Sequence, residues 1–280
     1  MFYLLFYLLQ MKIIKNILDL NKAIKNFKDF GFVPTMGGIH DGHISLIKNS
    51  QKNCKKTIVS IFVNPTQFNN KIDFKKYPRN IVKDIKILKK CKIEYLFIPN
   101  TNEIYSSKRK KIKIDKKDKV MCAKHRKGHF EGVLEVMSKL LNLITAKSVF
   151  MGEKDYQQLF LIRKYLSKKY RTKIIGCPII RDKNKVALST RNKLLNKKNY
   201  YNVSKIAKFL LKTKKNFKFN SKKLSFSLIK IKKDLEKEYQ IKIDYLECRN
   251  SKNLKISNLK TNYKLFIAYH INNVRLIDNF

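Results

Sequence analysis

Apolar residues recur along the chain in two patterns, one typical of buried strands and one typical of amphipathic helices. Near-continuous apolar runs such as Thr57–Val63 are typical of parallel strands that are covered on both faces. In Arg79–Lys90, the residues Ile81, Ile85 and Leu88 form one stripe, which predicts a helix. The same patterns predict further strands at Gly31–Pro34, Ile93–Ile98, Ser148–Met151 and Thr172–Cys177. They predict further helices at Leu18–Phe30, Asp41–Asn53, Glu131–Ile144 and Asp155–Lys168.

Strands and helices alternate over residues 11–183, which predicts an α/β fold with a Rossmann-like, doubly wound and mostly parallel sheet. The pattern changes around Lys183. We expect residues 184–280 to form a smaller C-terminal α+β domain that could act as a lid over a nucleotide. Its predicted elements are two helices followed by three strands: Asn196–Lys214, Leu224–Glu238, Lys242–Leu246, Leu265–Tyr269 and Val274–Ile277.

The N-terminal segment, residues 1–10, is apolar but has neither a basic region nor a small-residue cleavage site. Its nine apolar residues are too few to span a membrane. We interpret it as an extension that is not essential. The alternative is a membrane anchor.

The formal net charge is +44, which raises the possibility of a nucleic-acid-binding protein. The lysines are spread over the whole chain, however, and alternate with Ile, Asn, Phe and Tyr. We therefore interpret them as solvated surface residues of a lysine-rich composition. Only weak, salt-sensitive binding to polyanions is expected, and no specific nucleic-acid partner.

The cysteines are scattered and odd in number, and none forms a C-x-x-C pair. This usage indicates a reducing, cytoplasmic compartment, without a disulfide framework or a zinc site. No other metal site is predicted. The five residues are Cys54, Cys91, Cys122, Cys177 and Cys248.

Two histidines, His40 and His43, lie between a predicted strand and a predicted helix. Residues at i and i+3 share one face of the first helical turn, where backbone N–H groups favour an anion. Two imidazoles there can donate to phosphate oxygens, and Gly42 leaves room for close approach. We therefore predict an ATP-binding turn. The alternative is a pair of helix-capping or half-buried histidines.

Other polar motifs follow predicted strands in the same way, after Val33, Val63, Met151 and Cys177. Ligands of doubly wound sheets bind outside the carboxyl ends of the strands. The pattern alone therefore predicts an active site at that edge of the sheet.

The motifs run in order along nearly the whole chain, as Val33–Gly37, His40–His43, Ser60–Phe68, Tyr77–Arg79, Gly128–Phe130, Gly152–Leu159 and Leu188–Asn192. In this order they resemble the pantothenate synthetase (pantoate–β-alanine ligase) family, part of the H-x-G-H nucleotidylyltransferase superfamily. The resemblance implies ATP-dependent condensation of (R)-pantoate with β-alanine through a pantoyl adenylate, with release of pyrophosphate and AMP. It also implies a homodimer, and Mg²⁺ that is bound with ATP mainly by the phosphates.

The resemblance further assigns roles to individual residues. His43 corresponds to the family's proton donor, and Gln67 and Gln158 correspond to residues that bind pantoate and β-alanine. The residues that correspond to ATP-binding positions are Met36, Gly37, Gly38, Ile39, His40, Asp41, Gly42, His43, Gly152, Glu153, Lys154, Asp155, Ile180, Leu188, Ser189, Thr190 and Arg191.

Three positions depart from the family pattern. Thr190 replaces a serine and retains the hydroxyl group, and Gly38 replaces an asparagine. In the segment 122–127 only Arg126 is retained, and Cys122 stands where the family has a glutamate. The segment therefore lacks the carboxylate that the resemblance implies.

Two other functions are compatible with parts of the sequence. Another adenylating or nucleotidyl-transferring enzyme of the H-x-G-H type would share the histidine turn, but the motifs around Gln67 and Gln158 argue against it. A basic nucleic-acid-binding protein would need clustered charge and aromatic motifs, which the sequence lacks.

Overall fold

The computed structural model describes residues 11–69, 71–105, 112–217, 221–257 and 261–280. The chain divides into two compact units. The first comprises the described residues up to Ile114, together with Arg126–Glu153 and Gln158–Pro178. The second comprises Asp115–His125, Lys154–Gln157 and Ile179–Phe280, so that two short segments from within the first 183 residues belong to it.

The first unit contains a six-stranded parallel sheet with the strand order β1-β4-β3-β2-β5-β6. This order confirms the predicted doubly wound α/β fold. The strands are β1 (Lys12–Ile14), β2 (Phe30–Thr35), β3 (Lys56–Ile61), β4 (Tyr95–Phe97), β5 (Ser148–Gly152) and β6 (Lys173–Cys177). The helices are α1 (Ile17–Ile24), α2 (Asp41–Asn53), α3 (Lys71–Lys76), α4 (Ile81–Lys90), α5 (Thr101–Tyr105), α7 (His129–Leu143) and α8 (Tyr156–Tyr170). Between α5 and α7 lies a short helix, α6 (Cys122–His125), which belongs to the second unit.

Consecutive residues of the central strands are buried, so both faces of the sheet are covered there. Phe32, Val33, Ile58 and Val59 are fully buried, as expected for strands with near-continuous apolar sequences. Burial of such side chains contributes about 1.5–3 kcal/mol each to folding, which makes this sheet a rigid support for the loops at its edge.

The strand order reverses between β2 and β5, and this position is the topological switch point of the sheet. β2 pairs with β3 as far as Thr35, but it pairs with β5 only at Gly31 and Phe32. The carboxyl ends of β2 and β5 therefore separate. A crevice of this kind is where doubly wound sheets bind ligands.

The second unit contains a three-stranded antiparallel sheet in the order β7-β8-β9. Its core includes Leu210, Leu265 and Ile267, which are almost completely buried. The small α+β domain predicted from the sequence is thus present in the fold. Its main elements are α9 (Lys197–Lys215), α10 (Ser221–Tyr239), β7 (Lys242–Asn250), β8 (Tyr263–Ile271) and β9 (Val274–Asn279).

One predicted boundary near the N-terminus was wrong, and one strand there was not predicted. The helix predicted to reach Phe30 ends at Ile24, and Phe30 begins β2 instead. Between these residues only Phe27 is apolar, so the segment cannot extend the buried face of the helix. The edge strand β1 was not predicted, because three residues are too few to show a period.

The predicted N-terminal extension, residues 1–10, lies outside the described residues. Among the residues that are described, none of the helices has the length and apolar character needed to cross a bilayer.

Candidate active site

The two histidines of the predicted ATP-binding turn lie at the start of α2. His40 is the N-cap of this helix, and its Nδ1 accepts the backbone N–H of Gly42 at 3.1 Å. Capping through Nδ1 places the proton of a neutral imidazole on Nε2, the nitrogen that would donate to a phosphate oxygen. The ring centroids of His40 and His43 are 4.1 Å apart. Both rings therefore lie side by side where the helix N-terminus favours an anion.

The loop Met36–Ile39 is positioned by one buried carboxylate, that of Asp84. Its Oδ2 accepts the N–H of Gly38 at 2.8 Å, and its Oδ1 accepts the N–H of Ile39 at 2.9 Å. The φ angles of Gly37 and Gly38 are +77° and +66°, in the region that glycine adopts without steric cost. A Cβ on Gly37 would lie 2.9 Å from Oδ2 of Asp84. The glycines therefore allow the loop to approach the carboxylate.

Gln67 lies in the short 3₁₀ turn that follows β3, and its side chain contacts the loop Met36–Ile39. Its Nε2 is 2.7 Å from Sδ of Met36, and its Oε1 accepts from Nδ2 of Asn64 at 3.3 Å. Gln67 is only 8% exposed. The structure thus brings the residue predicted to bind pantoate into contact with the loop predicted to bind ATP.

The backbone of Gln67 is fixed by Arg126 and by His129, the first residue of α7. Nδ1 of His129 lies 2.7 Å from the carbonyl oxygen of Gln67, and Nε2 lies 2.9 Å from a guanidinium nitrogen of Arg126. A carbonyl only accepts and a guanidinium only donates, so Nδ1 carries the proton and Nε2 accepts. Both nitrogens are therefore used to orient His129 against the Gln67 turn.

Gly132 permits α7 to pack directly on this turn. A Cβ at Gly132 would overlap the carbonyl group of Thr66, and the carbonyl oxygen of Gly132 accepts from Nδ2 of Asn64 at 3.1 Å. Oδ1 of Asn64 in turn accepts from the hydroxyl of Tyr105 at 2.7 Å. These contacts stabilise the position of Gln67 at the end of β3.

The motif after β5 is divided between the two units, with Gly152 and Glu153 in the first and Lys154 and Asp155 in the second. Nζ of Lys154 lies 3.6 Å from Oδ1 of Asp155. A Cβ on Gly152 would meet no atom within 4 Å, so local packing does not require glycine there.

The predicted substrate residue Gln158 is half-buried in the first turn of α8. Its neighbour Gln157 is buried and contacts a backbone carbonyl. Nε2 of Gln157 donates to the carbonyl oxygen of Val120 at 2.7 Å, and both residues belong to the second unit. Gln157 is therefore used for packing within that unit.

In the second unit a hairpin leads to the remaining predicted ATP residues. Arg181 and Ala187 form an antiparallel bridge, and the N–H of Leu188 donates to the carbonyl oxygen of Ile180 at 3.0 Å. Next along the chain, the hydroxyl of Ser189 accepts the N–H of Arg191 at 3.3 Å. Ile180 and the segment 188–191 therefore lie at the two ends of one hairpin.

Lys154 and Ser189 line one small cavity within the second unit, together with Asp278 and apolar residues such as Ala187 and Leu276. Two segments that are 35 positions apart in the sequence are thus neighbours in the fold. Burial raises the pKa of Asp278 above its ordinary value, and hydrogen bonds from Arg181 oppose this shift.

All five cysteines lie among the described residues, and none forms a disulfide. Burial raises the pKa of Cys177 and of Cys248 to about 11, so these thiols are protonated at neutral pH. Neither residue is therefore suited to nucleophilic catalysis. Within the described part of the chain, no group of three His, Cys, Asp or Glu side chains could hold a metal ion.

Cys122 occupies a polar position in the second unit. Its Sγ lies 3.1 Å from the hydroxyl of Tyr245 and 3.4 Å from a guanidinium nitrogen of Arg275. Nε of Arg275 donates to Asp244 at 2.9 Å. Asp244 therefore supplies the negative charge next to Arg275, although Cys122 has replaced the carboxylate expected from the family resemblance.

Several residues that position the site were not identified from the sequence. Asp84 lies 46 positions after Gly38, and only the fold brings them together. His129 belongs to a recognised motif, but its contact with Gln67 spans 62 positions. Neither contact leaves a pattern in the local sequence.

Comparison with known proteins gives a consistent result. Residues 12–280 match the family model for pantoate-beta-alanine ligase. The pantothenate synthetase of Flavobacterium psychrophilum is 38% identical over 267 residues, covering 93% of this chain and 94% of the relative. That of Endomicrobium trichonymphae is 40% identical over 276 residues, covering 96% of this chain and 97% of the relative.

Solved structures are similar over the same range. The pantoate-beta-alanine ligase of Francisella tularensis, complexed with beta-gamma ATP and beta-alanine, is 36% identical with a TM-score of 0.83. The alignment covers 96% of this chain and 97% of that chain. The pantothenate synthetase of Thermus thermophilus is 26% identical with a TM-score of 0.86, covering 96% of this chain and 99% of that one.

Proposed function

This chain belongs to the pantoate-beta-alanine ligase family, and from this premise we propose that it joins pantoate to β-alanine in an ATP-dependent reaction. The observation that carries the proposal is the contact between Gln67 and Met36. It places a neutral amide that can orient a carboxylate beside the loop that leads into the two histidines. An adenylation reaction needs this proximity, because the carboxylate must attack a phosphorus atom of ATP.

In the first step a carboxylate oxygen of pantoate forms a bond to the α-phosphorus of ATP. The bond from this phosphorus to the β-phosphate oxygen breaks, and pyrophosphate leaves. His40 and His43 donate hydrogen bonds to phosphate oxygens, whose negative charge grows in the transition state. Gln67 and Gln158 orient the carboxylate without forming a salt bridge, which would reduce its nucleophilicity.

In the second step the amine of β-alanine attacks the acyl carbon of the adenylate. The new C–N bond forms, the C–O bond to AMP breaks, and the amine loses a proton. No nucleophile from the protein is required, so catalysis depends on positioning and on positive electrostatic potential.

We also assign ATP binding to Lys154, Ile180, Ser189, Thr190 and Arg191, as the family resemblance implies. Lys154 and Arg191 supply positive charge for phosphate oxygens, and Ser189 and Thr190 supply hydroxyl donors. Ile180 contacts the adenine ring. The proximity of Lys154 to Ser189 supports this assignment.

Mg²⁺ neutralises phosphate charge when it is bound, and we propose that the phosphates of ATP hold it. The described residues offer no cluster of three metal-ligating side chains, which is compatible with this arrangement. A homodimer is proposed from the family resemblance. We also propose a cytoplasmic location, which is supported by five cysteines without a disulfide. We propose that residues 1–10 are dispensable, because the family match begins at residue 12.

An assay of AMP release tests the proposal. The purified chain is incubated with ATP, pantoate, β-alanine and Mg²⁺, and each organic substrate is then omitted in turn. We expect AMP in proportion to pantothenate, identified by mass spectrometry, only in the complete mixture. AMP formation with a different carboxylic acid, and none with pantoate, would favour another H-x-G-H adenylating enzyme.

A further inference from the structure

The last strand of the chain contacts two segments that we assign to ATP binding. We propose that Asp278 and Asn279, at the end of β9, are positioning residues for ATP. They join the segment that begins at Lys154 and the hairpin 180–188 to the same strand. The inference rests on the proposed function, which supplies the ATP-binding roles of these segments.

Arg181 connects the hairpin to Asp278. Its two terminal nitrogens donate to the two carboxylate oxygens of Asp278 at 2.7 and 2.8 Å. The same guanidinium donates to the carbonyl oxygens of Lys185 at 2.9 Å and of Asn279 at 3.0 Å. Four hydrogen bonds therefore fix its orientation, and the hairpin cannot slide along β9 without breaking them.

Asn279 connects the other segment to the same strand. It is 1% exposed, and its Nδ2 donates to the backbone carbonyl oxygen of Lys154 at 3.0 Å. Its own carbonyl oxygen accepts from Arg181. Asn279 thus contacts both segments at once, and the distance between Lys154 and the hairpin depends on it.

Burial of the ion pair between Arg181 and Asp278 has a high desolvation cost. Their side chains are 16% and 11% exposed, so both charges have lost much of their hydration. A buried ion pair of this kind contributes little net stability compared with an apolar pair. Here its two parallel hydrogen bonds also fix the relative orientation of Arg181 and Asp278. That property suits a role in fixing the relative positions of two ligand-binding segments.

The test compares two buried carboxylates of the same small sheet. Asp278→Asn removes the charge with little change in volume, and Asp244→Asn is the matched control. Asp244 is 9% exposed and pairs with Arg275 at 2.9 Å. Its described contacts do not involve Lys154 or the hairpin. ATP binding is measured by calorimetry on the full-length chain, and folding is checked by thermal unfolding.

We expect Asp278→Asn to weaken ATP binding about tenfold. Asp278→Asn and Asp244→Asn should lower the melting temperature to a similar extent. Asp244→Asn should nevertheless keep ATP affinity within twofold of wild type. Because Asp278→Asn could fail to fold, Asn279→Ala and Arg181→Lys are measured as well. Asn279→Ala loses one hydrogen bond and should weaken ATP binding about fivefold. Arg181→Lys retains the charge but not the paired donors, and should weaken it by more than fivefold.

Equal losses of ATP affinity in Asp244→Asn and Asp278→Asn would overturn the proposal, as would unchanged ATP affinity in folded Asp278→Asn, Asn279→Ala or Arg181→Lys. The KM for pantoate should change less than the KM for ATP in all three variants. Calorimetry with ATP needs no pantoate. A wild-type chain that binds ATP but forms no pantothenate would therefore contradict the proposed function alone.

Discussion

Gln67 lies with its side-chain amide 2.7 Å from the sulfur of Met36, so the end of β3 and the loop after β2 are in direct contact. These two strands are neighbours in the sheet, and their loops leave it at the same edge. The contact determines where a carboxylate bound by Gln67 would lie relative to phosphates bound at the start of α2. Positioning of this kind is the main catalytic contribution that the proposed reaction requires.

Replacement of this amide should affect pantoate more than ATP. We expect Gln67→Ala to raise the KM for pantoate at least tenfold, because an oriented hydrogen bond to the carboxylate is lost (about 1.5–3 kcal/mol). ATP affinity, measured by calorimetry, should remain within twofold of wild type. Gln51→Ala, at an exposed position of α2, is the control and should change neither quantity. Equal weakening of both substrates by Gln67→Ala would contradict the assignment.

Loss of the His43 imidazole should slow adenylate formation. We expect His43→Ala to reduce this step by about 10²–10³, which is typical for removal of one donor to a developing negative charge. The reaction of supplied pantoyl adenylate with β-alanine should hardly change, since pyrophosphate is not involved. His270→Ala, at a histidine outside the proposed site, is the control. Normal adenylation by His43→Ala, or a defect in the second step alone, would show that the role is misassigned.

His129 should act through the Gln67 turn. His129→Ala removes the donor to the Gln67 carbonyl oxygen and should raise the KM for pantoate several-fold, with a smaller effect on ATP. His129→Asn can donate from a similar position and should recover most of the loss. Steady-state kinetics for both substrates distinguish the variants. If His129→Ala and His129→Asn raise the KM for pantoate equally, the hydrogen bond to the Gln67 carbonyl oxygen does not account for the effect.

Removal of the Asp84 carboxylate should disorder the loop Met36–Ile39. Asp84→Ala leaves two backbone N–H groups without their acceptor, at a cost of about 1–3 kcal/mol each if they stay buried. We expect weaker ATP binding and a lower free energy of unfolding in urea. The exposed Asp234→Ala on α10 is the control and should affect neither. Retention of full ATP affinity by Asp84→Ala would contradict the proposed positioning.

The buried thiols should make stability decrease at alkaline pH. The pKa of Cys177 and of Cys248 is raised by burial from 9.0 to about 11, so above pH 9 the unfolded chain releases these protons more readily than the folded chain. The corresponding stability is present below pH 9 and is lost as the pH rises to 11. The free energy of unfolding in urea should decrease between pH 8 and pH 10.5. This decrease should be smaller for the double variant Cys177→Ala/Cys248→Ala than for wild type. The same decrease in both proteins would exclude these thiols as a cause.

Features that depend on local sequence were predictable. The strand, glycine turn and histidine-capped helix around His40 are contiguous, and each leaves a pattern within a few residues. The link between Asp84 and Gly38 leaves none, because it depends on the packing of α4 against the loop after β2. The contact of Asn279 with Lys154 spans 125 positions and arises from tertiary structure alone. Sequence motifs therefore gave the residues that we propose as substrate contacts, whereas the residues that position them were found only in the fold.

The central claim is that the chain activates pantoate with ATP before β-alanine reacts. Isotope exchange between pyrophosphate and ATP, measured without β-alanine, tests it most directly because only reversible adenylate formation causes exchange. We predict exchange that requires pantoate and falls about 10²–10³-fold in His43→Ala. Wild-type chain that forms pantothenate without pantoate-dependent exchange, or exchanges equally well without pantoate, would contradict the account.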